Sequence, residues 1–141
     1  MKIPYIDKRL EKIIRQCGTR DPYRLANYLG VIVIEEDLKS IYGYYSKANR
    51  IKMIHLNSRL HDNFKTFTCA HELGHSLLHS NENTPLLSKQ SIVSELKIEK
   101  EANYFATQLI VDYGNSELEY LSNYQKLGYY GLSEDFSRYL Y

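Results

Sequence analysis

Tryptophan is absent from these 141 residues, and cysteine and proline are scarce, with 2 and 3 copies. Two cysteines, Cys17 and Cys69, are too few for a disulfide framework, so the fold must rest on its apolar core. No run approaches the ~20 consecutive apolar residues that a membrane span requires. The N-terminus lacks an apolar signal core, because Lys8, Arg9, Glu11 and Lys12 interrupt it early, and a cytoplasmic address is expected. Net charge is nearly absent too: 18 Lys+Arg against 17 Asp+Glu leave +1. That balance argues against direct nucleic-acid binding, whose affinity comes largely from phosphate neutralisation. The first 24 residues are locally basic and read either as a solvated helix face or as a partner surface. Tyrosine is the exception to this frugality, with 14 copies beside 4 Phe.

The length fits one domain spanning residues 1–141, able to bury a core without staples. Residues 6–17 carry Ile6, Leu10, Ile13, Ile14 and Cys17 at helical spacing, with Gly18 as a stop. Asp21-Pro22 opens a second helix that ends at Gly30. Val31 to Ile34 reads as a buried strand, and Ile41 to Ser46 and Arg50 to Asn57 read as a hairpin turning at Lys47-Ala48-Asn49. Helical patterns follow over about Lys65 to Ser80 and Ser94 to Val111, then two shorter ones near Ser116 to Lys126 and Ser133 to Leu140. The order predicts an α+β domain, a small three-stranded, mostly antiparallel sheet leaning on central helices.

The chemistry concentrates in His71-Glu72-Leu73-Gly74-His75. Residues four apart share a helix face, so His71 and His75 can aim ring nitrogens at one metal ion. Two imidazoles suit zinc (Zn2+), and a catalytic site adds a third protein ligand while leaving a position open. Glu72 sits beside that face, where its carboxylate can act as the base of metal-assisted hydrolysis. Two His and a Glu at this spacing arise by chance in very roughly one chain in a few hundred, so a third ligand is needed to tell a metal site from a helix that happens to carry two histidines.

Three residues are candidates. His79 continues the i+4 series, but the helix rises ~6 Å between His75 and His79, a poor fit for one ion and better suited to a supporting role. Zincins with a third histidine break the helix first with a glycine turn, and Ser76-Leu77-Leu78 offers none. Glu99 and Glu101 lie roughly 200° apart on the next helix, so only one can face the metal. Glu99 shares its side with Asn103 and Ala106, and the small residues Ala102 and Ala106 permit a close helix approach; Glu101 falls with Lys97 and Gln108 on a more polar face. Glu99 is therefore favoured.

The segments Phe67-Thr68-Cys69-Ala70-His71-Glu72-Leu73-Gly74-His75-Ser76-Leu77-Leu78-His79 and Glu99-Lys100-Glu101-Ala102-Asn103-Tyr104-Phe105-Ala106 together resemble the ImmA/IrrE-type metallopeptidases of bacteria, phages and mobile elements. The likeness covers residues ~20 to ~111, the size of an ordinary domain. It implies a zincin-like fold and a zinc-dependent endopeptidase that cleaves a helix-turn-helix repressor and so relieves repression. Related zincins with a glutamate ligand place an Asn or Asp four residues after it, which maps onto Glu99 and Asn103. Asn103 would then orient a ligand imidazole, though a carboxamide raises ligand basicity less than a carboxylate. The resemblance also implies that the strand at Arg50 to Asn57 is an edge able to hold substrate backbone. One departure is Leu109-Ile110-Val111-Asp112, which lacks the proline often found there.

Two other readings compete: an anti-repressor that binds its regulator through contact without cutting it, and a structural zinc site, which would normally be closed by four Cys-rich ligands. Cys69 lies about 200° from His71 and reads as packing, as does Cys17. His55 in a strand and His61 in a polar connection are not assigned as ligands. Tyr104, Tyr113, Tyr129 and Tyr130 are conceivable oxyanion donors, none singled out. The adjacent pairs Tyr44-Tyr45 and Tyr129-Tyr130 cannot all be buried on one face, which suggests that some line a peptide groove.

Overall fold

The computed structural model describes residues 1–141 and shows the expected α+β architecture. Helices α1 (Pro4–Cys17) and α2 (Pro22–Tyr28) precede strands β1 (Ile32–Glu36), β2 (Gly43–Ala48) and β3 (Ile51–Asn57). Helices α3 (Asp62–Leu78), α4 (Lys97–Ile110) and α5 (Asn123–Tyr129) follow. Single 3-10 segments at Ser91–Val93, Ser116–Leu118 and Glu134–Tyr139 shorten the helices expected before α4 and in the tail.

Local chemistry explains the boundaries. Gly18 ends α1 in the left-handed region at φ 69°, its N–H donating to Ile14 O. Asp21 caps α2 by accepting from the Tyr23 N–H at 3.1 Å, with Pro22 in the first turn. The hairpin turns one residue later than the composition suggested, at Asn49-Arg50. Both have positive φ, 52° and 69°, the primed geometry that matches strand twist, and Asn tolerates it well. Arg20, one of the basic N-terminal residues, is committed internally: its guanidinium donates to Gln108 O, Leu109 O and Val111 O at the end of α4.

The sheet is mixed, with strand order β1-β3-β2. β2 and β3 pair antiparallel, Tyr45 opposite Ile54, and β1 adds parallel to β3, Val33 beside Ile54. β3 is thus the central strand and not the edge implied by the resemblance. β1 pairs along the side of β3 that β2 leaves free, so β1 and β2 are the edges.

Ile54 and Leu56 bury one face of β3 beneath α3, alongside Phe67, Ala70 and Leu73. Two glycines permit the close packing. A Cβ on Gly43 would lie 2.6 Å from both His55 O and Thr68 Cγ2, where α3 crosses the sheet. A Cβ on Gly74 would come within 3.0 Å of the Phe105 ring of α4. The α3–α4 pair forms the centre of the molecule, and α4 is buried on nearly every face from Glu99 to Leu109.

Candidate metal centre

Helical spacing puts His71, Glu72 and His75 on the part of α3 that faces α4. Their potential ligand atoms lie within 4.8 Å of one another. Helix α4 contributes Glu99, whose Oε1 is 2.7 Å from His75 Nε2 and whose Oε2 is 3.5 Å from His71 Nε2. All four side chains are buried. His71 Nε2, both Glu72 carboxylate oxygens and Glu99 Oε2 nevertheless lack any hydrogen-bond partner. Leaving buried polar atoms unpaired costs about 1–3 kcal/mol each, so a convergent set of them is what a cation would satisfy. Two imidazole nitrogens and a carboxylate are also the donor chemistry of a zinc site. His71, His75 and Glu99 could hold such an ion, with Glu72 alongside.

The surroundings orient the imidazoles. Asn103 Nδ2 donates to Ser91 O at 3.2 Å, which turns its Oδ1 toward His71 Nδ1 at 2.8 Å. His71 Nδ1 therefore carries the proton and Nε2 faces the cluster. Asn103 Nδ2 also reaches the buried Tyr139 hydroxyl at 3.3 Å. Tyr139 lies in the tail, and no spacing in the sequence pointed to it.

Burial and partners set the charges. Burial in the apolar core pushes Glu72 up to about 8, its neighbour His71 opposing this only in part. Burial works in the same direction on Glu99, yet the two imidazoles beside it, His71 at 3.5 Å and His75 at 2.7 Å, overcome it and hold that carboxyl at about 2. Burial lowers His75, and it pushes His79 down to about 4 with help from neighbouring His75. For His71 burial also lowers, but the Glu99 carboxylate 3.5 Å away and the Glu72 charge raise it on balance. These groups titrate as one coupled cluster, from which metal binding would release a proton.

Among the other candidates, His79 ends α3 and contacts the ring nitrogen of His75 opposite the one that meets Glu99, its Nδ1 2.9 Å from His75 Nδ1. Glu101 does not lie on a polar face: it is buried, and its Oε1 lies 3.2 Å from His79 Nε2. Helical periodicity missed this because the end of α3 covers that face of α4. Cys69 is fully buried, and burial pushes its thiol up to about 12, consistent with packing. Cys17 is half-buried against the core. His55 lies on the sheet between Ser46 and Glu36. Tyr104 is buried and donates to Asp7, Tyr113 stacks on Tyr141, Tyr130 accepts from the Asp112 N–H, and Tyr129 is exposed. Tyr44 stacks on His55, and Tyr45 is buried with its hydroxyl donating to Ser80 O.

Residues 26–137 match the Peptidase_M78 family, described as an IrrE N-terminal-like domain. The chain belongs to this family. It is 40% identical over 111 residues to immunity region protein 2 of Bacillus phage phi105, covering 77% of this chain and 70% of that protein. It is 30% identical over 125 residues to the metallopeptidase ImmA of Bacillus subtilis strain 168, covering 86% and 73%. The M78 match contains both α3 and α4, so the buried cluster lies in the shared region of a metallopeptidase family. No helix of this M78 chain is long and apolar enough to cross a membrane.

Proposed function

We propose that this M78 chain is a cytoplasmic, zinc-dependent endopeptidase that cleaves a helix-turn-helix transcriptional repressor and thereby relieves repression. The observation that carries the catalytic part is the set of buried, unpartnered atoms His71 Nε2, Glu72 Oε1 and Oε2, and Glu99 Oε2 around one point. His71, His75 and Glu99 hold the zinc ion in this reading. When bound, zinc supplies Lewis-acid polarisation of the scissile carbonyl and lowers the pKa of water. Glu72 accepts the proton of the attacking water on a carboxylate oxygen and returns it to the leaving amine. Its raised pKa in the metal-free chain reflects burial, and a nearby cation would favour the carboxylate form that a base needs. Asn103 holds the proton of His71 on Nδ1, away from the ion.

The repressor substrate is supported by kinship with a phage immunity-region protein and with ImmA. A peptide could add to the outer edge of β2, an edge that is already paired at Gly43 with Leu87. A near-zero net charge suits a protein partner better than DNA. The decisive experiment incubates the protein and its Glu72→Gln variant with the repressor encoded beside it, followed by mass spectrometry. Cleavage is expected at a defined bond, falling at least about 10²-fold in the variant while zinc is retained. The competing reading, a non-cleaving anti-repressor, draws on the sealing of both Glu72 oxygens within the fold. An intact repressor together with restored transcription would select it.

A further inference from the structure

Outside the four clustered side chains, α3 and α4 meet through a second buried polar chain that the proposed hydrolysis does not use. His75 Nδ1 lies 2.9 Å from His79 Nδ1, and His79 Nε2 lies 3.2 Å from Glu101 Oε1. His79 and Glu101 are only 6% and 8% exposed, so water does not substitute freely for either. We propose that Glu101, acting through His79, is a positioning residue that fixes His75 as the tautomer with its proton on Nδ1 and Nε2 turned into the metal site. This inference rests on the metal-site reading above.

The argument follows donor and acceptor capacity. A carboxylate only accepts, so the Glu101–His79 bond requires the proton on His79 Nε2. In neutral His79 the remaining nitrogen, Nδ1, is then an acceptor. The 2.9 Å contact then has His75 Nδ1–H as donor, which leaves Nε2 for a cation; in the metal-free chain the 2.7 Å contact of Nε2 with the accepting Glu99 Oε1 needs a proton of its own. A cation takes the place of that Nε2 proton, so the Nδ1–H tautomer is the form His75 adopts with the ion bound. His71 reaches the same tautomer by a separate route, through Asn103 anchored on Ser91 O. Two chains of different chemistry, both rooted in α4, thus present both Nε2 atoms to one point. His79 supplies the reach that Glu101, two residues from Glu99, would otherwise lack. Such outer partners usually contribute about 10–100-fold in metal affinity.

The test uses the full chain labelled with 15N-histidine, with long-range proton–nitrogen correlation spectra recorded with and without zinc. The expected spectrum shows His79 protonated at Nε2 and His75 protonated at Nδ1 alone in the zinc-bound state. Glu101→Leu should erase the His79 preference and weaken zinc binding about 10–100-fold in chelator competition. Glu101→Gln, which keeps an accepting oxygen, should retain the His79 tautomer and most of the affinity. A wild-type His79 protonated at Nδ1 would overturn the proposal without any substitution, because Glu101 would then be the donor. Zinc binding by Glu101→Leu equal to wild type would overturn it as well. Failure of the relay alone leaves wild-type zinc binding and its loss in Glu99→Ala intact, whereas a wild-type chain that takes up no zinc removes the metal-site reading itself.

Discussion

Two groups of polar side chains in this protein centre on histidine and carboxylate, and they differ in what they leave unpaired. On the sheet, His55 Nδ1 donates to Glu36 Oε1 at 3.0 Å and its Nε2 accepts from Ser46 Oγ at 2.9 Å. Tyr44 stacks on the ring at 4.1 Å, and the Glu36 side chain is 42% exposed. Every nitrogen of that ring has a partner, and the group asks for nothing more. Between α3 and α4, by contrast, His71, Glu72 and Glu99 are sealed from water and keep four polar atoms without partners. Residue type is nearly the same in both places. Burial combined with missing partners is what marks the second as the candidate site, because an unpaired buried group is costly unless a ligand completes it.

The sharpest way to break this contrast is to remove a donor from each group. Glu99→Ala should reduce zinc affinity by more than about 10²-fold, beyond the range typical of outer partners, as read by chelator competition. Zinc binding that survived this substitution would make the buried group as self-sufficient as the sheet one.

A second, smaller effect concerns pH in the metal-free chain. Glu72 is raised to about 8 by burial, so the folded state keeps its proton where the unfolded chain has lost it. Its stabilising contribution is complete below about 4.5 and is lost as pH rises toward 8. Glu99, held near 2, works with the opposite sign: its contribution is present above about 4.5 and is lost as pH falls toward 2. Denaturant titrations of the metal-free protein should therefore carry a downward contribution from Glu72 to the pH slope between 5 and 8, set against the upward one from His75 and His79, which burial lowers. Glu72→Gln should remove that downward contribution, and an unchanged slope would contradict the assignment.

The smallest effect is expected on the sheet. His55→Gln should leave zinc affinity unchanged and cost no more than about 1 kcal/mol, the scale of a half-exposed hydrogen bond. A loss of zinc binding there would erase the distinction between the two groups.

Much of the site could be read without a structure because it lies along helices. The i+4 spacing of His71 and His75, and the shared face of Glu99 and Asn103, follow from 3.6 residues per turn alone. His79 could be set aside as a direct ligand by the same arithmetic, and the structure places it behind His75. Glu101 shows where periodicity fails: a polar neighbourhood in sequence became buried because the end of α3 lies over it. Tyr139 had no local signal, since its contact with Asn103 spans 36 positions. The hairpin was visible, but its turn moved to Asn49-Arg50, where backbone handedness and not composition decides.

By itself, then, the sequence determined an α+β fold, a paired-histidine helix and a second helix offering Glu99 and Asn103. These are local properties, set by helical geometry and by which residues are apolar. Only the tertiary structure decided that β3 is central, that Glu101 meets His79, and which nitrogen of each imidazole faces the cluster. Those outcomes depend on partners brought together across the chain, and on polar groups that, once buried, had to find a donor or an acceptor among the few within reach.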